Sequence, residues 1–64
     1  MIDWASHIES VPNKLFGKAV IANTRISVEL ILEKLASGDT LDDILQAYPT
    51  ITKDDVAACL LFAA

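Results

Sequence analysis

The chain is short of most residues that build reactive or cross-linked sites: 64 residues hold one cysteine and one histidine. Cys59 closes no intrachain disulfide and makes no cysteine-based metal site by itself. His7 stands alone, and no residue spacing supplies a nucleophile–base pair, so no catalytic residue is assigned and no enzyme is expected. Lysine and arginine total five against nine acidic residues, a net charge of −4. That balance argues against the broad basic footprint of most nucleic-acid binders. No apolar run approaches the roughly 20 residues that span a bilayer. The opening MIDWASHIE has neither the basic start nor the apolar segment of a secretory signal, so a cytoplasmic protein without membrane contact is expected. Repeats and low-complexity segments are absent, and nothing calls for a cofactor.

What the chain has in excess is apolar side chain. It is 53% hydrophobic with a mean hydropathy of +0.43. Residues 1–64 make one domain at most, near the size at which a single core is marginal. So small an interior hides only part of that apolar content. The remainder is expected to be covered by another subunit or partner, and a homodimer or obligate complex follows.

Two prolines and two glycines punctuate the pattern. Residues 1–26 read as a β arm and hinge, and residues 27–64 as a three-helix unit. In the arm, Trp4 is the large anchor, a short strand is expected near residues 7–10, and Pro12-Asn13 marks a turn. Gly17-Lys18 makes a second turn before a strand at about 19–22. Two such strands are unstable alone and must pack on the helices or pair with another chain.

Ser27 is a good N-cap, and Val28, Ile31, Leu32 and Leu35 follow helical spacing, with Ile26 and Ile31 placed as a hydrophobic staple. Gly38 is the expected stop. Thr40 and Asp43 have capping-box spacing for a second helix bearing Leu41, Ile44, Leu45 and Tyr48, which Pro49 ends. Thr52 and Asp55 repeat the capping spacing, and Ile51 with Val56 makes another staple. The third helix then runs VAACLLFAA, nine apolar residues without a break. Val56, Cys59, Leu60 and Ala63 are expected in the core, leaving Leu61, Phe62 and Ala58 as the candidate dimer or partner interface. The unit from residue 41 onward has helix-turn-helix proportions, which two packed helices of any small bundle share.

Charge divides along the chain. Residues 1–25 hold Lys14, Lys18 and Arg25 against Asp3 and Glu9, whereas residues 26–64 hold two lysines against seven carboxylates. Arg25, between a strand and a helix start, can bind a phosphate or brace a carboxylate at an interface. The pairs Asp42-Asp43 and Asp54-Asp55 fall in first turns, where carboxylates favour the positive end of the helix dipole, so no metal site is assigned. Cys59, on an apolar face, reads as a buried structural thiol.

From residue 17 onward the text GKAVIANTRISVELILEKLASGDTLDDILQAYPTITKDDVAACLLFAA resembles the bacterial family known as domain of unknown function 433. Its pattern runs G-K-P-x-I-x-G-T-R-I-P-V, a helix, G-x-(S/T)-x-x-(D/E)-I-L, Y-P-x-(L/I)-T and D-V-x-A-A. Gly17, Lys18, Ile21, Thr24, Arg25, Ile26 and Val28 match the first part; Gly38, Thr40, Tyr48, Pro49, Thr52, Asp55 and Val56 are among the later matches. Ala19 and Ser27 stand where the pattern has proline, and Asn23 where it has glycine; Asn tolerates the left-handed backbone, so the turn survives.

The resemblance implies a mostly α, homeodomain-like helix-turn-helix domain of three helices with a short N-terminal β arm or hairpin, often dimeric. It also implies an antitoxin-like role beside a toxin resembling PIN-domain nucleases, with Thr24 and Arg25 as motif residues. Autoregulation through operator DNA is a further expectation. The third helix carries Asp54 and Asp55 where a recognition helix would read bases, so Lys14, Lys18 and Arg25 are the candidate nucleic-acid contacts. The alternative is a homodimeric structural or interaction module without nucleic-acid binding.

Overall fold

The computed structural model describes residues 3–12 and 17–64. A 3-10 turn, Trp4–Ser6, leads into β1 (Ile8–Ser10), which pairs antiparallel with β2 (Ala19–Ile21) in the register Ile8↔Ile21, Glu9↔Val20, Ser10↔Ala19. The two expected strands thus pair with each other. The Ser10 hydroxyl donates to the Gly17 carbonyl across the intervening segment. The expected turn at Pro12-Asn13 lies partly outside the described residues.

After β2 the chain turns through Asn23 at φ 64°, a left-handed conformation that a short polar side chain tolerates. Thr24 closes this turn: its hydroxyl donates to the Ile21 carbonyl at 2.7 Å and accepts from the Ile26 N–H at 3.0 Å. The Ile21 N–H donates to the Ile26 carbonyl at 2.9 Å, and Ser27 bridges Val20. The hinge is therefore hydrogen-bonded to β2, which fixes where the first helix begins.

That helix, α1 (Val28–Ala36), starts where the Ser27 hydroxyl accepts from the Leu30 N–H, and it ends before Gly38 at φ 99°. Helix α2 (Leu41–Ala47) and helix α3 (Lys53–Ala63) each begin with a complete capping box, Thr40 with Asp43 and Thr52 with Asp55. Each carboxylate accepts from the backbone N–H of its cap residue at 3.0 Å. The Thr40 hydrogen bonds, that from the backbone first, hold the Asp43 carboxyl below its usual range. The acidic pairs in the first turns are thus explained by helix starts. One core joins β2, the three helices and the α2–α3 connection: Ile21 from β2, Val28 and Ile31 from α1, Ile44 from α2, Ile51 from the connection, Val56 and Cys59 from α3, with Ile8 of β1 packed against it.

The third helix departs from expectation. Ala58, expected on the outer face, is fully enclosed, whereas Leu60, expected in the core, is 52% exposed; Ala63 is exposed as well. The cause is the arm. His7 Nδ1 lies 2.8 Å from Asp55 Oδ1, and the Trp4 ring meets Phe62 edge-on with centroids 5.6 Å apart. Positions 55, 58, 59 and 62 share one helical face, so the arm seals that side of α3 and turns Leu60 and Leu61 outward. Leu61 and Phe62, expected to be outward, are exposed.

Both Asp43→Ala and Asp55→Ala remove a capping box and are expected to lower stability. Only Asp55→Ala also releases His7, so urea denaturation is expected to rank it as the more destabilising; equal effects would show that the arm contact contributes nothing.

Candidate interaction surface

Helix α1 carries two apolar stripes. One runs through Ile31 and Leu35 into the core. The other follows Val28, Leu32 and Ala36 at four-residue spacing and rises out of the core: Val28 is buried in it, Leu32 packs against it half-buried, and Ala36 is exposed. This second stripe is the floor of an open groove of about 570 Å³, walled by Phe62 and Ala63 at the end of α3 and by Ala19 of β2. An apolar groove left open to solvent is where a partner gains from contact.

Polar groups stand only at the groove's edge. Glu29 and Glu33 follow the floor at the same four-residue spacing. Lys18 Nζ sits 3.4 Å from Glu29 Oε2, with both side chains more than half exposed, so solvent screens the pair and it adds little stability. Outside the groove lining, Leu60, Leu61 and Leu41 add exposed apolar surface.

Of the candidate nucleic-acid residues, Lys18 and Arg25 are among the described residues. Lys14 lies outside them. Lys18 precedes β2 and is engaged by Glu29, whereas Arg25 follows β2, is exposed, and makes no ion pair among the described residues. Thr24 has a structural task in the hinge, which accounts for one of the two motif residues without a ligand. The start of α3 is acidic and its Asp55 carboxylate is already committed to the Thr52 N–H and to His7. Of the interface residues expected from sequence, Phe62 lines the groove, Leu61 lies beside it and Ala58 contributes no surface. The groove along α1 was not anticipated as surface, because apolar residues at 28, 31, 32, 35 and 36 have the spacing of a single core-facing stripe.

Cys59 is fully enclosed. Burial, reinforced by the nearby Asp55 carboxylate, pushes its thiol up to about 11 from an ordinary 9.0. The thiol is neutral and packed, a structural group.

The fold and this surface define a small three-helix module with an N-terminal β hairpin and an open, mostly apolar groove. The model for the family described as "Protein of unknown function (DUF433)" matches residues 8–63, and the chain belongs to that family. The chain is also similar to a crystal structure of a DUF433 member protein from Anabaena variabilis ATCC 29413, with a TM-score of 0.84 and 30% identity, covering 88% of this chain and 55% of that one. It therefore spans about half the length of that relative. Among curated proteins none matches. No helix among the described residues is long and apolar enough to cross a membrane.

The Cys59 thiol is expected to resist a thiol reagent at pH 8 in the folded protein and to react at once in urea. Because its folded pKa is raised, its contribution to stability is complete below pH 9.0 and is lost as pH rises towards about 11. Rapid labelling without unfolding would contradict the enclosed position.

Proposed function

We propose that this chain is an antitoxin-like protein, a non-enzymatic module that binds and neutralises a partner toxin resembling PIN-domain nucleases. The observation that carries this reading is the apolar surface formed by the groove and the exposed Leu60, Leu61 and Phe62 at the end of α3. These side chains are already about half covered, so burying the rest of one is worth roughly half of the ~1.5–3 kcal/mol of a full burial, still a sizeable share of the ~3–5 kcal/mol that a core of this size supplies. A partner covering several of them stabilises the fold and binds in one event. The family resemblance supports the toxin as that partner. The net charge of −4 suits a basic RNA-cleaving enzyme, since complementary charge speeds encounter.

Autoregulation through operator DNA is the less supported part of the reading. The acidic start of α3 opposes phosphate, and only Arg25 of the three candidate contacts is a described, exposed cation outside an ion pair. A second reading, the homodimeric interaction module, draws on Leu60 and Leu61, which are exposed outside the groove lining and leave room for a copy of the chain there.

The test is affinity purification of the tagged chain from its host, followed by a ribonuclease assay of what co-purifies. A stoichiometric small nuclease, silenced when the chain is added back, is the expected result. Leu60→Asp and Phe62→Asp are expected to weaken that complex about tenfold or more, with thermal unfolding run in parallel to separate misfolding from lost contact. Recovery of the chain alone, or a nuclease left active by it, would overturn the antitoxin reading.

A further inference from the structure

We infer that the groove between α1 and the end of α3 is a seat for one amphipathic helix of a partner, with an apolar stripe and a basic row along one flank. The inference rests on the partner-binding function proposed above and specifies the chemistry of what binds. The floor residues Val28, Leu32 and Ala36 repeat every fourth position, so the groove runs along α1. Nine residues of α1 are about 13 Å long, enough to lie against two to three turns of a second helix. An apolar stripe between two helices is the geometry in which an amphipathic helix docks by anchors at i, i+3 or i+4, and i+7.

The charge pattern selects the occupant. Glu29 and Glu33 form an acidic row parallel to the floor, on the α1 side only, while the wall given by Phe62 and Ala63 is uncharged. Glu29 has a screened pair with Lys18 at 3.4 Å, and Glu33 has no ion pair among the described residues. A helix with lysine or arginine at four-residue spacing beside its apolar stripe therefore meets two carboxylates in register. A second copy of this chain fits less well. The rim offers one lysine against two glutamates, so two copies meeting here would bring surplus negative charge into a drying interface.

The probes are two synthetic helical peptides with the same leucine stripe, one flanked by lysines at i and i+4 and the other by glutamates. Each is titrated into the isotope-labelled full chain while backbone amide shifts are followed. The lysine peptide is expected to move the amides of residues 28–36 and 62–63 and to bind about tenfold more tightly than the glutamate peptide. The paired variant Glu29→Gln, Glu33→Gln, altering only exposed side chains, should bring the two affinities together. Equal affinities in the unaltered chain, or shifts away from the groove, would overturn the proposal. So would sedimentation showing a dimer whose concentration-dependent shifts fall on the same residues, because a second copy would then be the occupant. The peptides report on the groove itself, so they can fail while a nuclease still co-purifies, which separates this inference from the antitoxin reading.

Discussion

Much of the arrangement depends on the carboxylate of Asp55. One oxygen accepts from the Thr52 N–H and starts α3; the other receives His7 from the arm at 2.8 Å. A helix start and an arm attachment thus share one side chain, and the rest of the arm follows the same helical face to the contact between Trp4 and Phe62. With the arm laid on that side, α3 directs Val56 and Cys59 into the core and leaves its last two turns partly uncovered. The same placement brings Phe62 and Ala63 against α1 and makes the groove. In a protein of this size the hairpin cannot stand alone, and without it α3 would expose a further apolar side.

Functionally, the molecule places its unusual features on its outside. Its polar chemistry is spent on folding: Thr24 on the hinge, Ser27 on α1, and Asp43 and Asp55 on the capping boxes. The surface keeps an apolar stripe on α1, an apolar helix end and a short acidic row. Those are the materials of a contact surface, and they agree with a chain that is 53% hydrophobic yet has an interior of few large side chains. Membership of the DUF433 family, together with the similar architecture of a longer member, makes this a shared scaffold.

The helices were legible because their signals are local. Ser27, Thr40 and Thr52 each precede an apolar stripe, and Gly38 and Pro49 close two of the helices, so caps and stops could be read residue by residue. The hairpin was legible only as two short apolar runs; that they pair with each other depends on contacts across the chain. The orientation of α3 was not legible. Nine consecutive apolar residues have no polar side to mark which face turns inward, so Leu60 and Ala58 were exchanged between core and surface. Its rotation goes with contacts across the chain, to α1 and α2 on one side and to His7 and Trp4 of the arm on the other. The groove was not legible either: Leu32 packs against the core as its spacing indicates, and the part of it left open depends on where α3 lies.

Under the proposed function, a partner covers the groove and the end of α3. Hydrogen exchange of the backbone, compared between the chain alone and the chain held in the complex purified from its host, addresses this most directly. Protection gained at residues 28–36 and 60–63, with little change across α2, is the predicted result. Protection confined to residues 41–55, or to the hinge around Arg25, would place the partner elsewhere and contradict the account.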